Sequence, residues 1–153
     1  MKTGSYLSWF RHCAEPTWEV IKLVQSDGET GDEFGRSVSI TDDGKSVIVG
    51  SHQDWSNGIY SGSAYIYTET GNSWIENKLV PTNQTGYQAF GYSVEISGDG
   101  TTAIVGAPSQ ENGSAYIYSL INDSWLETEL IASDIIDNPI DYLNFGINVS
   151  ISN

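Results

Sequence analysis

The sequence predicts an all-β protein assembled from a repeating unit of roughly fifty residues. Three observations carry that prediction. First, four landmarks return in the same order: Phe34-Gly35 as Phe90-Gly91 and Phe145-Gly146; Val47-Ile48-Val49-Gly50 as Ala103-Ile104-Val105-Gly106; Gly62-Ser63-Ala64-Tyr65-Ile66-Tyr67 as Gly113-Ser114-Ala115-Tyr116-Ile117-Tyr118; and Trp18 as Trp74 and Trp125. Second, short apolar segments alternate with turn residues, and no stretch sustains a helical period. Third, 16 glycines, 9 tyrosines and 5 tryptophans with few charges suit strands joined by tight turns.

Each unit reads as four strands. The first alternates, with Val38 and Ile40, Val94 and Ile96, or Val149 and Ile151 at every second position. That is the period of a half-buried strand. A turn follows at Asp42-Asp43-Gly44 or Gly98-Asp99-Gly100, and Asp-Gly between strand patterns marks a hairpin. The second strand, Val47-Ile48-Val49 or Ala103-Ile104-Val105, is a continuous apolar run that calls for cover on both faces. The Gly-Ser-Ala-Tyr-Ile-Tyr phrase supplies the third, and the tryptophan opens the fourth as Trp74-Ile75-Glu76-Asn77-Lys78-Leu79 or Trp125-Leu126-Glu127-Thr128-Glu129-Leu130.

The flanks fall inside a unit. Gly4 precedes Trp18 by 14 residues, against 12 for Gly62 to Trp74 and for Gly113 to Trp125, so residues 4–24 read as the end of a preceding unit. Residues 34–80 and 90–131 are the complete units, and residues 145–153 read as the first strand of another. Two insertions stand out, in the loop at 51–61 and around 134–142, and such insertions map to loops, often on a binding face. The expectation is one domain over 1–153 that continues into further units of a longer polypeptide.

Charge narrows the partners. Twenty acidic against six basic residues give a net charge of −14, a surface that repels phosphate backbones and anionic lipid heads and so excludes nucleic acid. Cys13 stands alone, so neither an intrachain disulfide nor a thiolate metal cluster is available. The opening Met1-Lys2-Thr3-Gly4-Ser5 lacks the apolar core of a secretory signal, and no apolar run reaches membrane-spanning length. Four sequons, at Asn83, Asn112, Asn122 and Asn148, tilt the expected setting outward.

The Phe-Gly pairs, together with Val105-Gly106-Ala107-Pro108, resemble the FG-GAP repeat family, whose units build the β-propeller head of integrin α subunits. The first unit departs from the motif, since Gly50-Ser51-His52 keeps only the glycine. The resemblance implies a partial β-propeller: about two complete four-stranded antiparallel blades plus incomplete flanking blades. Closed rings need more blades than this, usually about seven in the family. It further implies an extracellular or cell-surface adhesion module, non-enzymatic, that binds a protein or glycan. The alternative is a scaffold domain of a larger secreted enzyme such as a hydrolase.

Candidate sites follow from that frame. Some family members hold calcium in the hairpin between the first two strands, where six to eight oxygens must converge. Here the corresponding positions are Ser39, Thr41, Asp43 and Val47 in one unit and Glu95, Ser97, Asp99 and Ala103 in the other. The last ligand is apolar in both, so Asp43 and Asp99 remain weak metal candidates and no cofactor is expected. The loop from Asp27 to Glu33 carries four carboxylates that its copy lacks, and reads as a solvated acidic loop. The inserted loop at 51–61 is the candidate binding surface. Its His52, Asp54, Trp55, Asn57 and Tyr60 join aromatic faces to amide and carboxylate groups, which suits a sugar or a protein partner. With no Ser elbow or His-Glu-x-x-His motif, nothing in the sequence points to a catalytic residue.

Overall fold

Ten strands make up the regular structure of this computed structural model, which describes residues 7–12, 18–55, 60–84, 86–109, 113–132 and 144–152. β1 (Leu7–His12) and β2 (Trp18–Leu23) form an antiparallel pair. β3 (Val38–Ile40), β4 (Ser46–Ser51), β5 (Ser63–Thr70) and β6 (Ser73–Leu79) form a four-stranded sheet in chain order. β7 (Ser93–Ile96), β8 (Thr102–Ala107), β9 (Ser114–Ile121) and β10 (Ser124–Ile131) repeat it. Within both four-stranded sheets every strand pairing is antiparallel between chain neighbours, so each is a meander and a blade of a partial β-propeller. No helix among the described residues is long and apolar enough to cross a membrane.

The hairpins set the register. In the β3–β4 turn the Asp43 carboxylate accepts hydrogen bonds from the Thr41 hydroxyl at 2.8 Å and the Lys45 amide at 3.0 Å. The β7–β8 turn repeats this, with Asp99 accepting from the Ser97 hydroxyl at 2.6 Å and the Thr101 amide at 2.9 Å. Val38 thereby lies opposite Val49, and Val94 opposite Val105.

The blades then stack face to face. Ile48, Ala64, Ile66 and Leu79 of the first blade pack against Phe90, Val94, Ile96, Val105, Tyr116 and Tyr118, all buried in one core. The opposite face of the first blade builds a second core from Phe34, Val47, Val49, Tyr65 and Tyr67, closed by Leu23 and Ile21 of β2. That cover reaches only the outer part of the face, so Val38 and Ile40 are exposed.

The recurring Phe-Gly pair is the interblade joint. Phe90 donates its amide to the Ser61 carbonyl at 2.9 Å and makes a parallel bridge to Gly62. A Cβ on Gly50 would collide with the Gly91 carbonyl oxygen, so only glycine permits this approach. Phe145-Gly146 docks on Gly113 and Gly106 in the same way. Beyond it, residues 148–151 form no ladder, a difference from the strand read in the sequence. A first strand needs a second to pair with, as β3 has β4, and no described residue occupies that place. Among the described residues, the Ile151 amide ties this segment to the second blade, donating to Glu95 at 2.7 Å.

Candidate functional site

The inserted loop leaves β4 at Ser51 and returns to β5 at Ser63, and its side chains divide into two groups. Asp54 and His52 turn inward and are buried. Asp54 accepts a hydrogen bond from the Tyr65 hydroxyl at 2.6 Å and pairs with Lys78 at 2.7 Å. Lys78 also pairs with Asp27 at 2.6 Å, and Tyr65 reaches the same carboxylate at 2.9 Å. One cation and one phenol thus tie two carboxylates to the end of the blade. Burial opposes charge on Lys78, yet its two carboxylate partners outweigh that and raise its pKa. Burial likewise pushes the Asp27 carboxyl up, but hydrogen bonds from Lys78 and Tyr65 hold it below the usual range.

His52 sits at the joint between the blades. Its ring meets Tyr92 edge to face at 5.3 Å, its Nε2 lies 3.7 Å from Glu33, and its buried Nδ1 has no hydrogen-bond partner among the described residues. Desolvation lowers its pKa despite Glu33, so the neutral imidazole is favoured. Arg36 lies over the Tyr92 ring at 4.9 Å and donates to its hydroxyl at 3.0 Å.

The second group faces outward. Trp55, 62% exposed, meets Tyr60 edge to face at 5.9 Å, and Tyr60 stacks on Tyr87 at 5.4 Å. Tyr87, 50% exposed, comes from the loop between β6 and Phe90, so the row of rings crosses from one blade to the next. The Tyr60 hydroxyl donates to Gln53, whose amide donates to Glu33 at 2.8 Å, so the middle ring is braced from beneath. Asn57 lies outside the described residues. Tyr87 has no signal of its own within its unit, since it joins this group only by stacking on Tyr60 where the two blades meet.

The loop at 27–33, read as solvated, is partly structural. Asp32 is buried and accepts from the Gln25 amide and from the Glu29 backbone at 2.7 Å. In the second blade the corresponding socket is rebuilt without a cation. Asn83 replaces Asp27 and Glu129 replaces Lys78, with the Asn83 amide donating to Glu129 at 2.9 Å, while the Tyr116 hydroxyl lies within hydrogen-bond reach of both, at 3.0 and 3.1 Å. Neighbouring contacts repeat unchanged: Ser26 and Tyr67 converge on Glu76 as Thr82 and Tyr118 converge on Glu127. Asp43 and Asp99, the weak metal candidates, each hold their own turn, and no group of three His, Cys, Asp or Glu converges among the described residues.

A family model described as the FG-GAP repeat matches residues 18–67 and again 74–118, together more than half of the chain. Each match opens at the tryptophan of an outer strand and closes at the second tyrosine of the next blade's third strand, so the unit of sequence spans a joint between blades. No curated protein matches the chain.

Proposed function

Because the chain belongs to the FG-GAP repeat family, we propose that it is a non-enzymatic binding module whose rigid blades display loops to a protein or glycan. The observation that carries this reading is the row Trp55, Tyr60 and Tyr87. Two of its rings are half or more exposed, and the third is held in place by Gln53. Large rings with few rotatable bonds, fixed before a partner arrives, lose little entropy on contact, which is why such residues anchor interfaces. We propose further that the module works at the cell surface or outside the cell, beside additional blades of the same polypeptide.

The test is capture of partners from arrays of surface proteins and of glycans. Trp55→Ala combined with Tyr87→Ala should weaken a captured partner by about tenfold or more. Neither ring belongs to a buried core, so thermal unfolding should stay unchanged. Capture at full strength would remove the row as the binding face.

A further inference from the structure

The two blades meet closely near their inner strands, where β7 packs on β3 and β4. Toward the outer strands they part, and two recesses open between them, of about 220 and 420 Å³. Trp125 lines both. One side of the indole packs against the interblade core, so its remaining surface is offered to the wedge. Around the smaller recess stand Thr68, Thr70, Ile75 and Asn77 from the first blade and Leu120 and Asp123 from the second, so polar groups and two aliphatic side chains share its walls.

The chemistry of these walls is unlike that of the joint further in. Asn77 lies on the exposed face of β6 opposite Ile66, and Thr70 ends β5. The side chains of Thr70, Asn77 and Asp123 make no hydrogen bond to another described residue, whereas Thr68 is paired with Ser46 at 3.3 Å. An amide, a hydroxyl and a carboxylate with free hydrogen-bonding capacity therefore flank one aromatic surface. A polyhydroxylated ring matches that set: its C–H face packs on the indole while its hydroxyls both donate and accept. An anionic ligand would meet Asp123 and a chain of net charge −14. A purely apolar ligand would leave the polar groups unpaired.

We propose that this outer wedge, walled by Thr70 and Asn77 on one side and Asp123 and Trp125 on the other, is a binding site for a neutral saccharide. It is separate from the row of rings on the 51–61 loop and does not depend on that row. Concave recesses with a few convergent polar groups are where small ligands are held.

An array of neutral and anionic glycans, followed by titration of the chain with the captured sugar, tests the assignment. Neutral saccharides should be retained, and Asn77→Ala and Asp123→Gly should each weaken them by about tenfold. Asp123 has a φ of 61° after Asn122 in a two-residue hairpin turn, so Asp123→Gly creates the pair such turns favour and should not harm the fold. Trp125→Phe should weaken binding as well, with unfolding temperature recorded alongside. For a sugar held in the wedge, loss in the Asn77 and Asp123 variants should be accompanied by retention in Trp55→Ala and Tyr87→Ala, which separates it from any ligand of the row of rings. Silence of the neutral glycans, retention of anionic ones alone, or full binding by both the Asn77 and Asp123 variants would overturn the proposal. Loss only in the Trp55 and Tyr87 variants would also overturn it, while leaving the loop as the binding face.

Discussion

Ile48 and Ile66 in the first blade are fully buried, whereas their counterparts Ile104 and Ile117 in the second blade are only partly so. The surrounding phrases are nearly the same, and on the opposite face Val105, Tyr116 and Tyr118 are as buried as Val49, Tyr65 and Tyr67. The inner strands show the reverse asymmetry, because Val94 and Ile96 are covered by the first blade while Val38 and Ile40 are 47% and 37% exposed. Burial here is a property of the place in the stack. A strand with an apolar run on both faces carries the capacity to be sandwiched, and a neighbouring blade realises it.

The comparison breaks most readily at the joint. Gly50→Ala forces a methyl into the Gly91 carbonyl, backbone against backbone, and should cost about 3 kcal/mol in a urea titration. Gly106→Ala meets Gly146 in the same manner, but the segment after Gly146 is held by few contacts and can yield, so about 1 kcal/mol is expected. Equal losses would mean that both joints are equally rigid.

Truncation of the isoleucines sharpens the same contrast. Ile66→Ala opens a cavity in a closed core and should cost about 4 kcal/mol, while Ile117→Ala should cost about 1 kcal/mol, both read from denaturant midpoints. A blade stacked on the second sheet in a longer chain would raise the second figure toward the first.

The polar sockets give the smallest effect. Lys78 is partly open to solvent, so Lys78→Met should cost only about 1 kcal/mol near neutrality. Its signature is in the pH profile. The raised pKa of Lys78 gives stability that is complete below the unfolded lysine value of about 10.4 and is lost as pH rises through the folded one. The lowered pKa of Asp27 gives stability present above the unfolded aspartate value of about 3.9 and lost as pH falls through the folded one. Unfolding temperatures across pH should therefore flatten in Lys78→Met. Combining Asn83→Asp with Glu129→Lys should place the Asp27–Lys78 pair in the second blade and leave the chain more stable than either change alone.

Much of this fold was legible because strand period, Asp-Gly turns and a repeated phrase all point the same way. The Phe-Gly pairs marked the repeat, but their reason lies in an approach of two backbones that no side-chain pattern announces. The loop at 51–61 was recognisable by its insertion, and Trp55 and Tyr60 do stand at its surface. His52 and Asp54, read with them as one surface, are buried by partners distant in sequence, Tyr92 and Lys78 among them. Tyr87 and the wedge at Trp125 arise only where two blades come together, so residues that look unremarkable within one unit acquire a role between units.

The joint itself has a further consequence. Gly50 and Gly106 meet an incoming Phe-Gly pair through main-chain atoms, at the same positions in both blades. Such a coupling is indifferent to what the loops carry. A duplicated or exchanged blade can be accepted without a new interface having to be invented, while its outward-facing loops remain free to diverge.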